Sequence, residues 1–137
     1  MKYYFLFLLV SSLMSCDVPG VIEVKNKLDE NIKVTCSFKN QNEYSQIHIN
    51  EIQPKQVGYV MLGFSTRWDK AFVDEYRTKI DTIYLKVGKI DYVCYSSECK
   101  EQLFNLSNRK SKRKMSIDID SSLLAKTFSI LTLQNKQ

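Results

Sequence analysis

Apolar and polar residues alternate along most of this chain, and turn-forming residues divide the alternation into short segments. Val21 to Asn26 places Ile22 and Val24 on one side. From Asn31 to Phe38, Ile32, Val34, Cys36 and Phe38 share one face, and Lys33, Thr35 and Ser37 share the other. A period of two marks a strand with one buried face. Leu28-Asp29-Glu30-Asn31 between them is a turn in which Asp and Asn can bond their own backbone, so the pair reads as a hairpin. Tyr44 to Ile52 alternates again, with Ile47 and Ile49 inward and His48 and Asn50 outward. After the break at Gln53-Pro54-Lys55, the segment Gln56 to Phe64 is apolar on both faces, which predicts a central strand or one covered by another element.

The period then changes. Trp68, Phe72, Tyr76 and Ile80 recur every four residues, the stripe of a helix over about 67–78. Thr66 is the expected N-cap, answered by Asp69 in the manner of a capping box. The aromatic stripe is expected to be core. Asp81 to Val87 returns to strand, and Gly88-Lys89 suits a two-residue type II′ turn into Ile90 to Tyr95. Ser96-Ser97-Glu98 reads as a turn, Lys100 to Leu106 as a further strand and Ser107 to Lys114 as a charged loop. Met115, Ile117 and Ile119 alternate with Ser116, Asp118 and Asp120 in a last strand. Beyond it, Leu124, Phe128 and Leu131 fit a helix, while Phe128, Ile130 and Thr132 fit a strand. The predicted class is mainly β: an antiparallel sandwich or barrel-like domain over 21–122 with one short inserted helix, then a tail at 123–137 of undecided structure. A mainly antiparallel α+β sheet is the alternative.

The start of the chain has no such periodicity. Lys2 precedes an unbroken apolar run, Tyr3 to Val10, and the leader stays small or weakly apolar to Ser15. A helix of about a dozen residues spans only about 18 Å, short of the roughly 30 Å hydrocarbon core, so the run reads as an export signal. Leu13-Met14-Ser15-Cys16 resembles the lipobox of bacterial lipoproteins. The resemblance implies cleavage before Cys16, loss of residues 1–15 and lipid on the Cys16 thiol. Asp17-Val18-Pro19-Gly20 would then be a short tether, and the chain would sit on an envelope membrane, inner or outer. Each buried acyl CH₂ contributes about 0.8 kcal/mol, so two or three chains anchor firmly. The domain also loosely resembles small lipoproteins of Bacteroidota, through a first strand ending in Asn26, Ile52-Gln53-Pro54, Gly63-Phe64 followed by Trp68, and Lys79-Ile80-Asp81. That group lends no activity.

Composition adds bounds. An apolar share of 44% with 26% charged residues suits a globular chain. Lys2 is the only charge in the leader, leaving 19 basic and 15 acidic residues, a formal +4 that identifies no partner. With Cys16 set aside, Cys94 and Cys99 are expected to form a disulfide around the turn, and Cys36 to be a small core residue. Arg109, Lys110, Lys112, Arg113 and Lys114 place five positive charges in six residues. An exported chain meets little nucleic acid, so this run is expected to be a solvated loop or a contact to anionic headgroups. His48 is the single histidine and lies on a strand's polar face, away from Cys36, so a nucleophile–histidine relay is not expected. Asp118 and Asp120 share one strand face, and a glycosidase needs its carboxylates across a cleft. No metal, cofactor or phosphate-loop pattern is present. The expected function is a non-enzymatic binding or structural module, with a headgroup-contacting module and a small envelope hydrolase as alternatives.

Overall fold

The structure, a computed structural model, describes residues 18–39, 46–63 and 66–131. The leader, Cys16, Tyr44, Phe64 and residues 132–137 lie outside the described residues. The elements are β1 (Val21–Asn26), β2 (Ile32–Phe38), β3 (Gln46–Ile52), β4 (Val57–Met61), α1 (Lys70–Lys79), β5 (Ile80–Val87), β6 (Ile90–Cys94), α2 (Ser97–Leu103), a 3₁₀ turn (Leu106–Asn108), β7 (Arg109–Ser111), β8 (Lys114–Ile119), α3 (Ser121–Thr127) and β9 (Ser129–Ile130).

The strands form two sheets, ordered β4-β1-β8-β7 and β3-β2-β5-β6-β9. The sheets pack with three helices into a mainly β domain, and no closed barrel forms among the described residues. Ile22, Val24, Ile117 and Ile119 from the first sheet join Ile32, Cys36, Ile49, Ile83 and Leu85 from the second in one buried cluster. Burying one such large aliphatic side chain contributes about 1.5–3 kcal/mol. The helices add a knot of aromatic rings. Trp68 is fully buried, edge-on to Phe72 and Tyr76 at 5.1 and 5.4 Å and stacked on Phe104 at 6.3 Å. The predicted aromatic stripe is therefore core.

Several expectations are corrected. The sheets are not purely antiparallel, because β1 and β8 run parallel, from Val21 opposite Lys114 to Asn26 opposite Ile119. β1 and β2 are not a hairpin; they lie in different sheets, and 27–31 crosses between the layers. β4 is an edge strand rather than a central one. Its outward residues Val57, Tyr59 and Met61 are 37%, 58% and 65% exposed.

The inserted helix starts at Lys70 with Asp69, not Thr66, as its cap. The Asp69 carboxylate accepts from Phe72 N at 2.9 Å. Thr66 to Trp68 is instead drawn against the β7–β8 turn: Trp68 N donates to the Lys112 carbonyl at 2.8 Å. Residues 97–103 form a helix, not a turn and strand. Ser96 caps it through Cys99 N at 3.1 Å, and Cys99, Leu103 and Phe104 face the core. The charged loop is largely a hairpin, β7 with β8.

The tail from 123 is part of the fold as far as Leu131. Asp120 caps α3 through Leu123 N at 2.7 Å. Leu123, Leu124 and Phe128 pack on the core, and β9 pairs with β6, Tyr92 opposite Ile130. The Gly88-Lys89 turn bends as its sequence predicts. Gly88 takes φ 55°, and a Cβ there would also strike the Glu30 carboxylate.

Candidate functional site

The outward face of the first sheet is set by register. Val21 lies between Met61 and Lys114, Glu23 between Tyr59 and Ser116, and Lys25 between Val57 and Asp118. Among the described residues no second sheet covers this face, yet Glu23 at its centre is only 4% exposed. Its carboxylate accepts from Ser116 Oγ at 2.9 Å and pairs with Lys114 and, at 3.3 Å, with Lys25. The Lys114 ammonium also lies 5.9 Å from the centre of the Tyr59 ring.

Burial alone would raise the Glu23 carboxyl. The hydrogen bonds from Lys114, Ser116 and Lys25 outweigh it and hold the group at about 2. Glu23 in turn pushes the Lys114 ammonium up. A carboxylate this acidic is a poor proton acceptor near neutral pH, and a fully protonated lysine cannot serve as a base. Ser116 donates to an anion that will not take its proton, so its hydroxyl is not activated. The cluster is a charge lock between β1 and β8, with the Tyr59 ring of β4 beside it.

The lock divides the basic run. Lys114 is turned onto Glu23. The Arg109 guanidinium donates to the Trp68 carbonyl at 3.0 Å and that of Arg113 to the Thr66 carbonyl at 3.1 Å. Lys110 and Lys112 are exposed at the tip, and exposed Arg67 lies in the segment these arginines hold.

The parallel pairing also sets where the hairpin lies. Val21 N donates to the Arg113 carbonyl at 2.7 Å. Gly20 lies against Thr66, and a Cβ at Gly20 would come within 2.6 Å of the Thr66 Cβ. The basic turn, some ninety residues from Val21 in sequence, therefore flanks the point where the chain enters the first sheet.

The other sequence-derived candidates are scattered. Cys94 at the end of β6 is joined to Cys99 in the first turn of α2, their Cα atoms 5.8 Å apart. Cys36 is a buried free thiol, pushed up to about 12 by burial. His48 is exposed, its Nδ1 3.2 Å from Thr35 Oγ1. It sits one position beyond Ile47, the partner of Cys36, so histidine and thiol face opposite sides of the sheet. Asp118 is exposed and Asp120 caps α3, so the two form no facing pair. Among the described residues, no group of three or more His, Cys, Asp or Glu could hold a metal ion. No helix of the described residues is long and apolar enough to cross a membrane.

Between the sheets lies an apolar cavity of about 50 Å³. Cys36, Ile83, Phe104 and Ile117 are among its lining residues. With no polar group to hold water, such a space stays dry.

Sequence reasoning missed Glu23, Lys100 and the role of Asn26. Glu23 was hidden because a single carboxylate between apolar residues reads as a solvent-facing position. Lys100 is buried with its ammonium donating to the Ile80 carbonyl at 3.0 Å. Its spacing from Leu103 and Phe104 was the available signal for a helix there. Comparison with known protein families, with curated proteins and with solved structures finds no match for this chain.

Proposed function

We propose that this chain is a lipid-anchored lipoprotein of the bacterial cell envelope, its β-rich domain a non-enzymatic binding or structural module. The observation that carries the reading is Leu13-Met14-Ser15-Cys16 behind a short apolar run. Support comes from the fold, in which β1 begins at Val21, so that a lipid on Cys16 would hold the domain close to the bilayer. Intact mass and membrane fractionation of the natively expressed protein test it. Mass equal to loss of residues 1–15 plus acyl groups, in the membrane fraction, is the expected result. A bare Cys16 thiol or a different first residue overturns it. Cys16→Ala is expected to abolish both acylation and processing.

A second reading is favoured by the β1–β8 register: the basic hairpin contacts anionic headgroups. Each Lys or Arg near such a surface contributes about 1 kcal/mol. A chain beginning at Asp17 would bind anionic vesicles in a salt-sensitive way. Replacing Arg109, Lys110, Lys112, Arg113 and Lys114 by Gln would remove that binding. Binding insensitive to salt, or none, overturns this reading.

A further inference from the structure

We propose that the outward side of β4, with Val18, is the surface on which the domain rests in the interface of an anionic bilayer, with the β7–β8 turn supplying the adjoining cations. The proposal rests on the lipid anchor at Cys16 and names how the anchored domain is oriented.

The first argument is exposure. Val18, Tyr59 and Met61 are 56%, 58% and 65% exposed. Val18 precedes the point where the chain enters the first sheet, Met61 lies opposite Val21 there, and Tyr59 lies two residues further along β4. Val21 pairs with Met61, and Leu62 N donates to the Gly20 carbonyl at 2.7 Å. An apolar row on an uncovered edge strand is a surface that asks for a partner.

The second is reach. One residue, Asp17, separates Val18 from Cys16, a span of at most about 7 Å. An acylated sulfur at the bilayer surface therefore holds Val18 beside it. Val21 stands three residues further along the chain, about 10 Å more at full extension, and Met61 is its cross-strand partner. Of the faces the domain could present, this one is brought to the membrane with the least freedom.

The third is chemistry. The row from Met61 through Val21 reaches Lys114, and the exposed Lys112 and half-buried Arg113 stand just beyond it. Tyr59, apolar in body and polar at its tip, suits the headgroup level. Apolar residues flanked by cations match an anionic interface, whose acyl boundary takes the former and whose phosphates take the latter. A second exposed apolar patch, Ile90, Ile130 and Leu131, lies at the opposite end. Ile90 pairs with Val87, itself paired with Ile32 beyond the end of β1, so about 20 Å of strand separates it from the anchor.

Tryptophan probes in the full-length acylated protein decide the matter, with buried Trp68 as the constant background. Met61→Trp and Tyr59→Trp report on β4, and Ile130→Trp on the opposite patch. In vesicles of phosphatidylethanolamine and phosphatidylglycerol with brominated acyl chains, both β4 probes should be quenched about twofold more than Ile130→Trp, because an interfacial side chain sits roughly 5–10 Å into the headgroup–acyl boundary. Replacing phosphatidylglycerol by phosphatidylcholine should reduce the difference. Equal quenching of all three probes overturns the proposal. So does an unquenched β4 whose emission shifts with protein concentration, which would assign the strand to a second copy of the chain. Acyl mass on Cys16 without β4 quenching overturns this inference and leaves the anchor standing; absence of acyl mass overturns both.

Discussion

Strand β1 has different surroundings at its two ends. At its last residue, Asn26 is fully buried, and its amide donates to the Glu30 carbonyl at 2.8 Å and the Ile52 carbonyl at 2.9 Å. Its side-chain oxygen accepts from Leu28 N at 3.0 Å, and its backbone bonds Gln56 and Lys55. Two loops from two sheets are tied by one side chain, and the polar groups there find partners within the protein. At its first residue, the neighbours are Met61, Val18 and the Lys112–Arg113 turn, exposed apolar surface beside cations. One end is finished by the chain's own hydrogen bonds; the other leaves unlike groups side by side facing outward. The contrast separates what holds the fold from what is available to a partner.

The largest way to test this contrast is to cut the near end loose from the core. Trp68 fills the aromatic knot and its indole donates to the Val21 carbonyl at 3.2 Å. Trp68→Ala should cost about 4 kcal/mol in urea unfolding. A cost under about 1 kcal/mol would mean that the near end is not held through this residue.

At the far end, Asn26→Ala strands two carbonyls and an amide and should cost about 3 kcal/mol. Asn26→Asp should be comparably damaging, because a carboxylate cannot donate to the Glu30 and Ile52 carbonyls. An Asp variant as stable as the parent would remove Asn26 from this role.

Acid should act on the near half of β1 through Glu23. Its carboxyl is held at about 2 against an ordinary 4.5, so the folded state binds the proton less readily than the unfolded state. The stabilisation is complete above about 4.5 and is lost as pH falls toward 2. Lys114, pushed up, keeps its charge through neutral pH, and its share is lost only in alkali. Glu23→Gln should lower stability at neutral pH and flatten the decline between those values, measured by urea midpoints across pH. An unchanged decline would show that other carboxylates carry it.

The smallest effect on stability is expected at the exposed tip. Lys110→Gln with Lys112→Gln should change unfolding by less than about 0.5 kcal/mol, while weakening contact with anionic vesicles. A larger stability loss would place these side chains in the fold rather than at its outer surface.

Much of the fold was legible because strands with one buried face write their burial into the sequence. Ile32, Val34, Cys36 and Phe38 face inward, and the Gly88 turn follows its residue type. β4 failed for a reason of context. Its two apolar faces promised burial on both sides, but only the inner one is covered. The helix at 97–103 failed because a seven-residue helix shows barely two turns of periodicity, and Lys100 occupies a buried place that polarity argues against. The site was less legible still. The cationic run was plain, but neither its partner Glu23 nor its place beside Val21 could be read from spacing.

The sequence by itself determined the alternation, hence two apolar sheet faces and an aromatic helix stripe, and it placed a short apolar run ahead of Cys16. Local pattern suffices there, because side-chain direction follows from strand and helix geometry alone. Only the tertiary structure decided that β1 pairs in parallel with β8, nearly a hundred residues later. Pairing between distant strands is chosen by the packing of the whole core, and that choice brings the basic turn, the exposed β4 residues and the chain's point of entry together.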